Sequence, residues 1–493
     1  MGKYSLTIYD GVNEIGGTKI LVENKSELFF LDFGKQHSKW LEYYEYPFSL
    51  PKTIDELIYL GLIPPPRNEL KNLYTNVIGG EVSDIKDECE SKVASCIFSH
   101  AHTDHTGYAF LLNRRIKLNF GLCSWRITEA RLNYGLKSNI ESNYYGFGLE
   151  NGNINVFKSG SKIEDLDADV TAFAVDHSVP GSYGFLIDLG DVRIAYTGDF
   201  RWHGPARNLT SIFADKLKDF DADFIICEGT QFSNINSLTE LDVEREAERL
   251  IKSSRKLIVA NVSPLDIDRL YTFFKVARSC NRVLVLNMKL AAILARLSDL
   301  NIMNFPSLNR LLVYYPEKKR LVKWKRSFMA GVAKNEYYSR LSLYEYELGL
   351  KFRDLIRAEE LISNPDNYIL VTSYYSYDEL MELYRCSKQM NKFDLLEGGV
   401  YIMSTSEPFQ EEMEIKFEKL KNWIKILRMM YYPIHSSGHI RPLDLKSFLM
   451  EVKAKNIIPI HTEAQNFIEN FLKDTNVNVV VPVKGKKISL TCV

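Results

Sequence analysis

Hydrophobic and polar positions alternate at the start of the chain with the two-residue period of half-buried strands. Tyr4-Ser5-Leu6-Thr7-Ile8, Thr18-Lys19-Ile20-Leu21-Val22 and Leu28-Phe29-Phe30-Leu31 predict hairpin strands, with Gly16-Gly17 and Asn24-Lys25-Ser26 as turns. Residues 37–92 break this pattern. Rich in Tyr, charge and proline (Pro64-Pro65-Pro66), they are expected to form an insertion or lid rather than core. The run Val93-Ala94-Ser95-Cys96-Ile97-Phe98 resumes a strand. Gly107 is expected to permit a turn, after which Tyr108-Ala109-Phe110-Leu111-Leu112 reads as the start of a helix. Strands follow at 170–175, 183–187 and 192–196, the last two joined by a hairpin turn at Gly190-Asp191. From about Phe224, apolar runs at 224–227, 257–262, 283–286, 368–372 and 400–403 alternate with charge-patterned helical segments such as 240–252, which predicts α/β layers around a largely parallel sheet. After about residue 430 a strand, Ile457-Ile458-Pro459-Ile460, ends in His461, and 477–490 reads as closing strands.

Composition bounds this picture without redirecting it. The 493 residues leave room for two or more domains, and 45% hydrophobic with 25% charged residues is the balance of a globular protein. No apolar stretch is long enough to span a bilayer, and the N-terminus carries neither a signal-peptide core nor, with Leu6, a myristoylation pattern. Seven cysteines without a C-x-x-C pair are expected as buried thiols, in a cytoplasmic protein that engages no membrane. A net charge of −1 excludes a uniformly basic nucleic-acid coat but not a local basic channel.

Three imidazoles and a carboxylate crowd into His100-Ala101-His102-Thr103-Asp104-His105, in a chain with only 9 His. Imidazole nitrogen and carboxylate oxygen are the donors that Zn²⁺ and related divalent ions prefer. Nearly extended backbone at a strand end turns His100 and His102 the same way. The following turn can swing Asp104 and His105 toward a second ion. A functionless His-rich loop or an affinity tag is the plainer alternative, but a tag would be terminal and homopolymeric. Asp176-His177-Ser178, Thr197-Gly198-Asp199 and His461 each repeat the arrangement after an apolar run. One His after a strand is usually a satisfied polar residue. Four strand ends offering such donors are the pattern of one site at one edge of a layered α/β fold.

His-x-His-x-Asp-His, a later single His, a Gly-Asp and a final His resemble the metallo-β-lactamase superfamily in its two-metal form. The interval of roughly 230 residues between Glu228 and His461 is similar to that of its β-CASP branch and, within it, of the ribonuclease J family. Supporting segments are Asn13-Glu14-Ile15-Gly16-Gly17, Leu31-Asp32-Phe33-Gly34, Thr197-Gly198-Asp199-Phe200-Arg201, His435-Ser436-Ser437-Gly438-His439 and Pro459-Ile460-His461-Thr462-Glu463. The resemblance implies an α/β fold, a metallo-β-lactamase αββα sandwich with an inserted β-CASP α/β domain. Residues 1–232 would be the first part of the sandwich (with 37–92 inserted), 233–429 the β-CASP domain and 430–493 the returning segment. It further implies one ion held by His100, His102 and His177, a second held by Asp104, His105 and His461, and Asp199 bridging them. Asp32 would orient a ligand imidazole from behind. Catalytic roles would fall to Asp104, Glu228 and His439, with His439 paired to Glu228 near the leaving group. Ser263, Ser437 and His439 match residues that hold a substrate phosphate. Thr462 stands where many bacterial members have Gly. The chain runs about thirty residues past His461, so a short form lacking the family's C-terminal domain is expected.

Two divalent ions about 3.5–4 Å apart can generate a hydroxide at neutral pH and clamp the attacking and leaving oxygens of an in-line phosphoryl displacement. A His held by a carboxylate can protonate the departing alkoxide. The expected cofactors are therefore two divalent ions, Zn²⁺ by ligand type, with Mn²⁺ accepting the same donors. RNA-acting members of the branch carry His where His461 stands, which implies single-stranded RNA as partner; a homodimer stays open. Lys318-Lys319-Arg320 and Lys323-Trp324-Lys325-Arg326, interleaved with Tyr314, Tyr315 and Trp324, form either a backbone-tracking run or a solvated helix face. Arg201 and His203 are further candidates for phosphate contact. The expected function is a metal-dependent ribonuclease, exo- or endonucleolytic. The alternatives are a DNA nuclease or small-substrate hydrolase of the same fold, and a non-catalytic RNA-binding scaffold.

Overall fold

Alternation in the first thirty residues becomes three antiparallel strands, Ser5–Asp10, Lys19–Asn24 and Glu27–Phe33. The computed structural model describes residues 4–25, 27–45, 48–75, 77–78, 81–82, 90–134, 153–233, 238–300, 302–315, 352, 354–373, 375–406 and 411–491. They form two compact units, Met1–Asn236 with Gly438–Val493, and Ser237–Ser437.

In the first unit, parallel strands Val93–Ile97, Lys117–Gly121 and Ile154–Phe157 extend the opening strands, and Lys487–Ser489 closes the other edge of a seven-stranded sheet. A six-stranded sheet contains the antiparallel strands Asp169–Val175, Ser182–Asp188 and Arg193–Tyr196, then Phe224–Glu228, Asn456–Ile460 and Asn478–Val479 in parallel. Because successive strand residues face opposite sides, each sheet buries two faces. Leu6, Ile8, Val22, Phe29 and Leu31 meet Val170, Phe185, Ile187, Ile194 and Ile226 between the sheets. On the outer faces, Phe30, Phe98 and Phe120 lie against Trp40, Leu57 and Trp125. Ala195, Ile225 and Ile457 lie against Phe213, Leu217, Phe448 and Ile468 of helices Arg207–Phe220, Pro442–Glu451 and Gln465–Leu472. This is the αββα order that the resemblance implies.

Two local expectations change. Residues 37–75 are not a lid lying outside the core: Trp40, Tyr44, Leu57, Leu62, Ile63, Leu70 and Leu73 from this segment are buried in the outer core of the first sheet. Short helices His37–Leu41 and Ile54–Tyr59 deliver Trp40 and Leu57, and the charged and proline residues between them disguise the apolar anchors. The helix expected after Gly107 is one 3₁₀ turn, Ala109–Leu111; the α-helical turn comes earlier, at Thr103–Thr106. Gly107 has φ −61°, which any residue adopts. Its glycine is required by crowding, since a Cβ would lie 2.4 Å from the Thr103 carbonyl oxygen.

The second unit has a seven-stranded parallel sheet in the order Leu355–Ile356, Leu312–Tyr314, Val283–Asn287, Tyr368–Thr372, Ile258–Val262, Val400–Ser404, Met430–Pro433. The expected parallel α/β layer is present, except that the run 224–227 belongs to the first unit. Tyr314 and Tyr315 are buried and present no stacking face; the basic run 318–326 lies outside the described residues. Cys96, Cys123, Cys227, Cys280 and Cys386 are free thiols. No described helix is long and apolar enough to cross a membrane.

Arg269, fully buried in helix Ile267–Ser279, fixes the second unit's interior. Its guanidinium donates from Nε and Nη2 to the two oxygens of Glu240 at 2.8 and 2.9 Å, and also to the Ser404 carbonyl at 2.9 Å and the Ser436 carbonyl at 3.0 Å. Arg269→Ala leaves Glu240 buried opposite no cation and is expected to cost about 3–5 kcal/mol. Urea denaturation of the full chain, followed by circular dichroism, checks this; an unchanged midpoint contradicts it.

Candidate metal centre

Parallel pairing brings several strand ends to one edge of the six-stranded sheet. Tyr196 lies opposite Ile226 and Glu228 opposite Ile460, so Asp199, Glu228 and His461 emerge side by side. In the other sheet Leu31 pairs with Ile97, which places Asp32 beside the entry to His100. Gly34 lets these segments approach, because a Cβ there would sit 1.6 Å from the Asp104 carbonyl oxygen. The result is three overlapping groups of potential ligands: His100, His102, His177 and Asp199; Asp104, His105 and His461; and Asp199, Glu228, His439 and His461. Asp199 Oδ2 is central, 3.2 Å from His105 Nε2, 3.6 Å from His100 Nε2, 3.7 Å from His439 Nδ1 and 3.8 Å from His461 Nε2.

Hydrogen bonds behind the rings decide what their front nitrogens offer. His177 Nδ1 donates to the Gly438 carbonyl at 2.6 Å, leaving a lone pair on Nε2. Ser99 Oγ donates to Asp32 Oδ2 at 2.7 Å and so accepts from His100 Nδ1 at 3.0 Å, leaving a lone pair on His100 Nε2. Between these two lies His102 Nδ1, 3.0 Å from His100 Nε2 and 3.2 Å from His177 Nε2. Burial holds His100 and His177 well below the usual imidazole range and brings His102 down to about 4. Three converging nitrogens thus share at most one proton, a donor set suited to a cation.

The second cluster sets carboxylates among its imidazoles. Asp32 accepts from His105 Nδ1 at 2.8 Å, so the other ring nitrogen, Nε2, faces Asp199 Oδ2 at 3.2 Å. Both of these buried atoms lack a hydrogen-bond partner among the described residues. Burial opposes protonation of His105, but Asp199, Asp104 and Asp32 drive its pKa well above the usual value. Burial likewise opposes ionisation of Asp199 and Asp104, yet the surrounding histidines, His105 foremost, hold both carboxyls ionised. His461 Nε2 faces Asp104 Oδ2 at 3.0 Å. These buried His and Asp clusters have the composition and spacing of a binuclear metal site.

Glu228 is satisfied where Asp199 is not. Its carboxylate accepts from Phe200 N at 3.2 Å and Thr230 Oγ1 at 2.6 Å, and both its oxygens lie 3.1 Å from His439 Nδ1. Burial opposes the charged form of His439, but Glu228 and then Asp199 push its pKa up to about 9. Ser263 and Ser437 lie in the second unit; the Ser263 carbonyl accepts from Asp266 N at 3.1 Å, and Ser437 is buried. Arg201 is not a phosphate contact. It is fully buried and donates from Nε to Asp176 Oδ1 at 2.9 Å. His203 is also buried, 3.8 Å from Asp444. Three participating residues escaped the sequence reading: Ser99, Thr230, and Tyr196, whose hydroxyl donates to Asp32 Oδ2 at 2.5 Å. Ser99 and Tyr196 adjoin the motifs, but each reads there as an ordinary strand-end residue.

No family model matches the chain. Distant, nearly full-length similarity links it to ribonuclease J. It is 22% identical to ribonuclease J of Helicobacter pylori over 97% of this chain and 59% of that protein. It is 22% identical to ribonuclease J 2 of Streptococcus pyogenes over 92% and 68%, and 18% identical to ribonuclease J of Mycoplasma genitalium over 94% and 69%. The chain spans about three fifths of the length of the Helicobacter relatives. Among solved structures, a protein of unknown function from Enterococcus faecalis V583 superimposes with a TM-score of 0.69 at 23% identity, covering 99% of this chain and all of that one. The fold is thus a metallo-β-lactamase sandwich with a β-CASP domain.

Asp32→Asn replaces one acceptor oxygen with a donor facing the groups that the carboxylate holds. Zn²⁺ affinity is expected to fall about 10–100-fold, read by competition with a chromogenic chelator; unchanged affinity contradicts the orienting role.

Proposed function

We propose that the chain is a metal-dependent ribonuclease that hydrolyses phosphodiester bonds of single-stranded RNA. The observation that carries this reading is the Glu228–His439 pair standing beside the His/Asp clusters, with His439 Nδ1 3.7 Å from Asp199. A phosphodiester leaves as an alkoxide, which needs a proton, and a carboxylate-held imidazole is suited to give one. The names of the distant relatives favour RNA.

In this reading His100, His102 and His177 would hold one ion and Asp104, His105 and His461 the other, with Asp199 contributing to both. Bound there, two divalent ions would make water acidic enough to attack at neutral pH and offset the charge on the phosphate; Zn²⁺ suits the donors and Mn²⁺ accepts them. The remaining steps belong to side chains. Glu228 holds the Nδ1 proton of His439 and stabilises the imidazolium, so that Nε2–H faces the leaving oxygen. Asp32 keeps His105 in the tautomer that points its lone pair forward. Ser263, Ser437 and His439 are proposed to contact the substrate phosphate.

Each of His102→Ala and Asp104→Ala is expected to abolish cleavage of end-labelled single-stranded RNA while leaving the melting transition in place. His439→Ala is expected to lower the rate roughly 10²–10⁴-fold with the metal content retained. Running the assay with 5′-phosphate and 5′-hydroxyl ends, in Zn²⁺ and in Mn²⁺, reads direction and metal from the product ladder. Faster turnover of matched DNA or of a small ester overturns the RNA assignment, and persistent cleavage by His102→Ala overturns the metal mechanism.

A further inference from the structure

Thr230 lies two residues beyond Glu228, in a short 3₁₀ segment after the strand Phe224–Glu228. Its hydroxyl stands between two groups of opposite function. Oγ1 is 2.6 Å from Glu228 Oε2 and 2.9 Å from His461 Nδ1. A third contact, to the His461 carbonyl at 3.2 Å, is longer. The hydroxyl has one proton to give. An ionised carboxylate at 2.6 Å takes it in preference to a neutral carbonyl at 3.2 Å, since the charge-assisted bond is the shorter and stronger. With that proton committed, Oγ1 can only accept from His461, so the His461 ring carries its proton on Nδ1. In a neutral ring Nε2 is then left as a lone pair aimed at Asp104 Oδ2, 3.0 Å away. Two acceptors facing each other at that distance need a positive charge to join them, and a divalent ion supplies it without a second proton on the ring.

We infer that Thr230 is a positioning residue that sets the tautomer of His461 and thereby makes it a ligand for the ion at Asp104 and His105. The inference rests on the metal-centre reading above and extends it. One hydroxyl couples the ligand end of the centre to Glu228, the group that holds His439. The backbone adds rigidity to this link: Thr230 N donates to Glu228 Oε2 at 3.2 Å, and His461 N donates to the Gly11 carbonyl at 2.7 Å. His461 itself sits at φ +52°, where only tightly determined surroundings keep a non-glycine residue.

The test is a Zn²⁺ titration of metal-stripped full-length chain, wild type beside Thr230→Val and Thr230→Ser, with melting curves of each. Wild type is expected to take up two ions. Thr230→Val, nearly isosteric but without the hydroxyl, is expected to bind one of the two about 10–100-fold more weakly and the other normally; Thr230→Ser is expected to restore both. A structural defect would weaken both ions and would not be rescued by Ser. Equal affinity of wild type and Thr230→Val overturns the inference and leaves the metal-centre reading standing. A wild-type chain that binds no Zn²⁺ overturns both. Independently of any variant's folding, ¹⁵N shifts of the His461 ring in the Zn²⁺-loaded wild type should report a protonated Nδ1; a protonated Nε2 overturns the inference.

Discussion

The fully buried carboxylate of Asp32 is the constraint on which the rest of the first unit's site depends. A buried carboxylate is tolerated only when its lone pairs are met. Asp32 accepts from Ser99 N and Ser99 Oγ, both at 2.7 Å, from His105 Nδ1 at 2.8 Å and from Tyr196 Oη at 2.5 Å. Asp32 belongs to the seven-stranded sheet and Tyr196 to the six-stranded one, so this group joins both layers at the edge where the histidines gather. It also sits at φ +57°, a conformation that Asp tolerates better than most residues. Its negative charge fixes a proton on the back of His105 and, through Ser99, on the back of His100.

The same device recurs with different partners. His177 is tied behind by the Gly438 carbonyl and His461 by Thr230 Oγ1. In each case an oxygen away from the centre takes the proton of one ring nitrogen and presents the other nitrogen bare. Second-layer hydrogen bonding of this kind raises ligand basicity and fixes ring orientation. The burial that keeps His100, His102 and His177 neutral would be a penalty in a protein core serving stability alone, since their front nitrogens find too few protons. That penalty disappears once a cation is present.

How much of this was legible in the sequence follows from the range of each interaction. The hexapeptide and the strand-end His and Asp residues stand out because rare donors cluster after apolar runs, a local signal. The αββα order follows from period-two alternation together with the motif spacing. The groups behind the ligands do not show themselves: Ser99 reaches Asp32 across 67 residues, Tyr196 reaches it across 164, and Thr230 reaches His461 across 231. Nothing in the neighbourhood of a Ser or Thr distinguishes such a role from a turn. Arg201 was misread for the mirror-image reason. Its motif position suggested a phosphate contact, whereas burial and Asp176 make it an internal ion pair. Residues 37–75 hid their core anchors among prolines and charges, and the run 224–227 is apolar throughout, without a period to say which sheet it joins.

Asp199 and Glu228, both buried carboxylates at neighbouring strand ends, show why composition alone could not assign roles here. Glu228 is surrounded by donors from Phe200, Thr230, His439 and Ile440, so its charge is spent on the protein's own N–H and O–H groups. Asp199 Oδ2 instead faces the rings of His105, His100, His439 and His461 at 3.2 to 3.8 Å without a well-formed hydrogen bond among the described residues, so its charge is directed into the cluster of imidazoles. A saturated carboxylate is suited to hold an acid in place; one left open among imidazoles is suited to hold a cation. The division of labour proposed for the proton donor and the metal centre therefore rests on hydrogen-bond saturation, which separates two acidic groups that sequence and burial leave alike.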